Sequence, residues 1–218
     1  MAAVTIDELT LADEPGRWEE LGFDVDGGRC MLGQVSVVLA GRQAGSGVIG
    51  WSLREIAGTD LDGLPTTISV TPTPEALPHE HPNGVRAIDH VVAVSPDFER
   101  TVARLGAAGL DLRRIREEPT PAGAPRQAFF RLGREILELV AEPDEVTERA
   151  GGGERPAIFW GLALLTPDLG RTAAAFEPHV GEPRAAVQPG REIATVKRSA
   201  GLSVPVALIT PQPERVER

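Results

Sequence analysis

Cysteine occurs once, at Cys30, tyrosine is absent, and lysine occurs only at Lys197. A single cysteine excludes an intramolecular disulfide and any zinc site built on cysteine, and it makes a cytoplasmic location the default expectation. No apolar run approaches the roughly 20 residues that a membrane-spanning helix needs, so no membrane partner is expected. Met1 to Glu8 offers neither a basic start nor an apolar stretch, and no secretory signal is expected. Positive charge is in deficit as well: 32 acidic residues face 22 basic ones, a formal charge of -10. Such a surface repels phosphate backbones, so nucleic acid is not an expected partner. A P-loop, a dinucleotide-binding glycine fingerprint and a Gly-x-Ser-x-Gly nucleophile elbow are all missing.

What the 218 residues do contain is repetition. Ile88-Asp89-His90-Val91-Val92-Ala93-Val94 is a β-branched run of strand type. Ser95-Pro96-Asp97 is a helix start, and Phe98, Val102 and Leu105 recur at helical spacing up to Gly109. Leu110 to Ile115, Arg126 to Leu132 and Arg134 to Val140 read as three further strands, the last two turning at Gly133. The order is β-α-β-β-β. It returns as Ile158 to Leu164, a second helix start at Thr166-Pro167-Asp168, then Pro183 to Val187, Glu192 to Lys197 and Val204 to Ile209. Pro205 predicts an edge or bulged position for that last strand.

A weaker third copy stands at the front. Ile6 to Leu11 resembles the opening strand, Asp13 to Leu21 a short helix, and Leu32-Gly33-Gln34 repeats Leu132-Gly133-Arg134. An extra apolar segment, Gly47 to Leu53, follows. The expected organisation is an N-terminal βαβββ-like unit over 1–56, a Pro-rich connection over 57–84, and a domain over 85–218 with repeats at 85–143 and 156–210. The short bridge from Glu142 to Pro156 favours pairing of the middle and last repeats. The first repeat lacks a partner unit of its own, so it is expected to pack on the other two or to mediate a homodimer.

The opening strand and helix start, with Phe129-Phe130-Arg131-Leu132-Gly133 and Ile136-Leu137-Glu138-Leu139-Val140, resemble the vicinal oxygen chelate superfamily of glyoxalase I, bleomycin-resistance proteins and extradiol dioxygenases. The resemblance covers residues 85–210 well and residues 4–54 weakly. It implies an α+β fold of three βαβββ repeats, with repeats two and three paired into a curved sheet around a cleft. Because that scaffold hosts unrelated chemistries, it is specific for fold and poor for reaction.

Two polar residues interrupt apolar strands: His90, sharing a face with Ile88 and Val92, and Glu138, between Ile136 and Val140. A carboxylate there needs a cation, a partner or water. In metal-dependent members of the family, the first and last strands of each unit supply ligands, which implies His90 and Glu138 as ligands of a divalent ion. Imidazole and carboxylate suit Fe, Mn, Ni or Zn alike. The corresponding places in the last repeat fall on Gly161 and Val206, which carry no ligand atoms. Glu8 aligns with His90, so pairing of the first and middle repeats would give a Glu8, His90, Glu138 set. A hydrogen-bonded His90–Glu138 pair without metal is an equal alternative.

Gln188-Pro189-Gly190-Arg191 is a tight turn in which Arg191 can clamp a carboxylate or phosphate, and Phe130 lies on a strand bordering the cleft. His79 and His81 sit in a Pro-bounded loop, expected to be exposed or packed over the cleft mouth. His179 is expected at helix-terminal carbonyls, Trp160 in the core, and Cys30 as a buried small hydrophobe. Two functions remain open under the resemblance. One is a metal-dependent lyase or dioxygenase acting on a small molecule, with His90 and Glu138 catalytic. The other is a metal-free protein of bleomycin-resistance type, sequestering a ligand in a cleft that Gly161 and Val206 would widen. Between them stands a metal-free enzyme with His90 as general base.

Overall fold

The computed structural model describes residues 3–74, 80–120 and 123–213. Among these described residues thirteen strands form two sheets. The first holds β1 (Thr5–Leu11), β2 (Arg29–Leu32), β3 (Val35–Leu39), β4 (Val48–Arg54) and β5 (Thr66–Ile68), in the order β2-β3-β1-β4-β5. The second holds β6 (Ala87–Ser95), β7 (Asp111–Arg116), β8 (Gln127–Leu132), β9 (Glu135–Ala141), β10 (Ile158–Leu165), β11 (Arg184–Ala185), β12 (Glu192–Thr195) and β13 (Val206–Ile209). Their order is β11-β12-β13-β10-β6-β9-β8-β7. Helices α1 (Pro15–Glu20), α2 (Phe98–Ala107), α3 (Asp144–Arg149) and α4 (Leu169–Phe176) complete the chain. Among the described residues, no helix is long and apolar enough to cross a membrane.

The repeated helix starts fold alike. Asp97 caps α2 by accepting from the Arg100 N–H at 3.0 Å, and Asp168 caps α4 through Arg171 at 2.9 Å. Behind each cap, two hydroxyls join the preceding strand to the helix: Ser95 with Thr101 and Thr166 with Thr172, each at 2.6 Å. Repeats two and three meet along antiparallel β6 and β10 at the centre of the eight-stranded sheet.

Both sheets share one register. In the larger, His90 lies opposite Ile136 of β9 and Ala163 of β10, and Val92 opposite Glu138 and Gly161. In the smaller, Glu8 lies opposite Ser36 of β3 and Ser52 of β4, and Thr10 opposite Val38 and Gly50. Glu8 therefore takes the place of His90, and Gly50 that of Gly161. The likeness extends outward. Pro65 and Pro205 carbonyls accept from Trp51 and Leu162 N–H groups at 3.1 and 2.9 Å. A Cβ on Gly50 or Gly161 would meet those same carbonyl oxygens at 3.4 and 2.8 Å. Strands β4 and β5 are thus what remains of a partner unit for the first repeat, and β5 lies inside the Pro-rich stretch expected to be irregular. The first repeat itself has no counterpart of β7.

Pro205 is not at a sheet edge. It stands just ahead of β13, an inner strand between β12 and β10, where its carbonyl serves the ladder and its missing N–H leaves nothing unpaired.

The sheets pack through their buried faces. Trp51 meets Phe159 edge-on at 5.0 Å, and Phe23 meets Phe176 at 5.9 Å. Backbone bonds cross as well, from Ala57 to Ala108 at 3.0 Å and from Ala157 to Asp62 at 2.8 Å. The first repeat accordingly buries its apolar face within this one chain. The opposite face of each sheet, bearing Glu8 in one and His90 in the other, turns away from this junction.

Candidate functional site

The site begins with an irregularity in β6. Pairing with β10 skips Asp89, so Ile88 and His90 have consecutive partners and Asp89 bulges out of the ladder. A bulge turns side chains that strict alternation would oppose toward one side, and Asp89 meets His90. Asp89 Oδ2 lies 2.7 Å from His90 Nδ1. The other flank of Asp89 is held by Arg191, whose two terminal nitrogens bond both carboxylate oxygens while its Nε donates to the Thr210 carbonyl at 2.6 Å. Arg191 is buried, with 5% of its side chain exposed. Burial acts most strongly on Asp89 and raises its pKa, but hydrogen bonds and charge from His90 and Arg191 together outweigh it and hold the carboxyl below its ordinary range. Asp89 is therefore an ionised acceptor, and Nδ1 of His90 carries the proton it accepts.

That fixes the far side of the ring. His90 Nε2 faces Glu138 Oε2 at 3.4 Å, and Glu138 Oε1 in turn accepts from the Gln127 side-chain amide. Arg191, Asp89, His90, Glu138 and Gln127 form one line from the turn before β12 through β6 and β9 to β8. His90 and Glu138 keep 12% and 14% of their side chains exposed, enough for a ligand to reach them and too little for free solvation. Around them the same face carries Val92, Phe129, Ile136 and Val140, all half-buried.

The sequence-derived candidates fall out as follows. His90 and Glu138 come together. Arg191 does clamp a carboxylate, but that of Asp89 within the chain. Gly161 lies on the cleft face opposite Val92. Phe130 does not: it is fully buried opposite Leu137, and its neighbour Phe129, paired with Glu138, faces the cleft. Val206 pairs with Leu162 on the buried face, and Ala207, opposite Ala163, occupies the position equivalent to Glu138. Ala207 stands one residue further from Gly201 than Glu138 does from Gly133, and a slip of one residue reverses a strand's faces. Gln188 is half-buried in the turn, its carbonyl accepting from the Arg191 N–H at 3.2 Å.

Glu8 does not join His90 and Glu138. It belongs to the other sheet, where Arg29 binds it at 2.6 Å and also reaches Ser36 at 2.8 Å. His79 lies outside the described residues. His81 is buried rather than exposed, accepting at Nδ1 from the Asp24 N–H at 3.1 Å and facing the Met31 carbonyl with Nε2 at 3.0 Å. His179 meets the end of α4 through its backbone N–H, which donates to the Phe176 carbonyl at 2.7 Å, while its side chain bonds Ser199 at 3.1 Å. Trp160 is 56% exposed, because a second bulge, between Phe159 and Gly161, releases it from the core. Asp89 was invisible as a site residue, since alternation places it on the opposite face. Gln127 was recognisable only as one of several residues on the third strand.

A divalent ion fits this donor set poorly. The two groups that converge are His90 and Glu138, the symmetry-related places hold Gly161 and Ala207, and a catalytic centre ordinarily has three protein ligands. Among the described residues no cluster of three or more His, Cys, Asp or Glu side chains could hold a metal ion.

No family model matches the sequence, and no curated protein does. Solved structures do resemble the fold. Methylmalonyl-CoA epimerase from Mycobacterium tuberculosis superposes with a TM-score of 0.50 at 17% identity, covering 64% of this chain and 95% of that one. A fusion of a xylose isomerase-like TIM barrel with 4-hydroxyphenylpyruvate dioxygenase superposes with a TM-score of 0.61 at 13% identity. That match covers 100% of this chain, which spans 50% of the fusion protein. Identities this low speak to architecture alone. With the βαβββ order, the parallel pairing of first and last strands in each unit, and the antiparallel junction of units, they establish that this chain has the fold of the vicinal oxygen chelate superfamily.

Proposed function

We propose that the open face of the eight-stranded sheet binds a small molecule and transfers a proton to or from it, with His90 and Glu138 as the exchanging groups. The observation that carries this reading is the imidazole held between two carboxylates. Asp89 engages Nδ1, so Nε2 is the ring atom turned to Glu138 Oε2, at 3.4 Å. Such a pair accepts a proton at one atom and delivers it from the other, the requirement for general acid–base catalysis. Asp89 and Arg191 position the ring and touch no substrate. Val92, Phe129 and Val140 supply apolar walls that exclude water and strengthen the electrostatics of the pair. No step calls for a metal ion.

The exposed Ile158 and Trp160, on the strand beside the pair, favour a second reading, in which the cleft sequesters an apolar ligand without converting it. The two separate in D2O. Incubation with a panel of small carbon acids, followed by proton NMR, should show protein-dependent exchange of a C–H for deuterium. That rate should fall by about 10²–10⁴ in both His90→Ala and Glu138→Gln. Ligand binding with no exchange in the unaltered protein would leave sequestration, and exchange that survives both substitutions would refute the assignment of the pair.

A further inference from the structure

The hydrogen-bond line ends at Gln127, and it ends unfinished. The Gln127 amide nitrogen is committed to Glu138, which fixes the orientation of the group and leaves its Oε1 buried without a partner among the described residues. The residue is 7% exposed. Directly opposite it in the antiparallel β7–β8 pair stands Arg116, on the same face, and Arg116 Nε is likewise buried with no hydrogen-bond partner. That same Nε lies 3.5 Å from Glu118 Oε2, an ion pair whose carboxylate side chain is 79% exposed and therefore a weak counter-charge. A buried acceptor and a buried donor left open side by side cost stability unless something completes both.

The surroundings say what kind of group that is. Arg114, opposite Phe129, and Arg131, opposite Ile136, share this face, and neither makes an ion pair among the described residues. In a chain of formal charge -10, most arginines are matched by carboxylates; among the described residues Arg114 and Arg131 are not, and Arg116 has only the exposed Glu118. Arg114 and Arg131 are exposed and Arg116 is half-buried, and guanidinium groups gathered on one face favour oxyanions. The neutral Gln127 Oε1 requires a donor instead.

We infer that Arg116 and Gln127 form a recognition subsite for an organic acid that carries a hydroxyl on the carbon beside its carboxylate. The carboxylate accepts from Arg116, and the hydroxyl donates to Gln127 Oε1. The carbon bearing that hydroxyl then lies toward Glu138, which Gln127 itself holds. This deepens the proton-transfer reading and rests on it for the identity of the reacting centre, while the binding claim stands on Arg116 and Gln127.

Calorimetric titration of the full chain tests it with four probes: mandelate, phenylacetate (the acid without the hydroxyl), 1-phenylethane-1,2-diol (the hydroxyl without the acid) and inorganic phosphate. Mandelate should bind at least about tenfold more tightly than each of the others, the fold-change for one hydrogen bond with a charged partner. Arg116→Gln should erase the preference over the diol, and Gln127→Leu the preference over phenylacetate, with both variants folded by circular dichroism. Phosphate binding as tightly as mandelate, mandelate affinity unchanged in Arg116→Gln, or no binding of any probe would each overturn the subsite. Mandelate binding lost in His90→Ala but indifferent to Arg116→Gln would overturn the subsite and leave the proton-transfer pair standing. Dependence on Arg116 without deuterium exchange would do the reverse.

Discussion

Replacing Arg191 with methionine removes the cation from a buried ion pair and keeps most of the aliphatic volume. Arg191 and Asp89 have 5% and 16% of their side chains exposed, so solvent cannot replace the lost partner. Truncating one member of such a pair costs about 3–5 kcal/mol, chiefly because a charge is left buried. For a chain of this length the melting temperature should fall by roughly 6–20 °C. The pH dependence identifies the cause. With Arg191 present, the Asp89 pKa is depressed, so its contribution is in full force above the unfolded value of about 3.9 and is lost as pH falls through the folded value. Without Arg191, burial is opposed by His90 alone and penalises the ionised form. The deficit of Arg191→Met should therefore be greatest near pH 7 and shrink as acid protonates Asp89, by about pH 4 and below. A second change, Asp89→Asn, should recover part of it at neutral pH. Urea denaturation across that pH range reads all three. A deficit below about 1 kcal/mol, or one that does not vary with pH, would refute the reasoning.

Two other substitutions address the fold. Gly161→Ala would place its Cβ 2.8 Å from the Pro205 carbonyl and should destabilise by about 1–3 kcal/mol, whereas Gly50→Ala, at 3.4 Å from Pro65, should cost markedly less; equal losses in thermal melts would contradict the shared packing. Burial, with the charge of Asp24 adding to it, pushes the Cys30 thiol up to about 12, so a thiol-specific disulfide reagent near neutral pH should label it only after denaturant is added. Rapid labelling of the folded chain would show that the thiol is not sealed.

The strands and helix starts were legible because they are periodic. Ile88 to Val94 and Arg134 to Val140 alternate, and Ser95-Pro96-Asp97 and Thr166-Pro167-Asp168 carry the same capping chemistry. What escaped was aperiodic. The bulges at Asp89 and Trp160 each insert one residue, which no alternation pattern marks, and one extra residue ahead of β13 exchanged the faces of Val206 and Ala207. Strand β5 has three residues, too few for a period to show. His90 and Glu138 stood out as polar residues in apolar strands. Asp89 and Gln127, which orient the two members of that pair, are polar residues where polar residues are common. Arg191 was visible as a carboxylate clamp, but the carboxylate lies 102 positions away in sequence and nothing local names it.

The bulged aspartate recurs in the smaller sheet. There the pairing of β1 with β4 skips Asp7, a buried Arg54 binds its carboxylate, and Arg54 Nε donates to the Thr71 carbonyl at 2.7 Å, as Arg191 does to Thr210. The two arginines come from different places, Arg54 from the end of β4 and Arg191 from the turn before β12. The consequence of this contact is a division of labour along the strand. The bulged aspartate is held by its arginine outside the ladder, while the next residue stays in register with both neighbouring strands. One copy fills that slot with Glu8, neutralised by Arg29 on a polar face; the other fills it with His90, wired between two carboxylates.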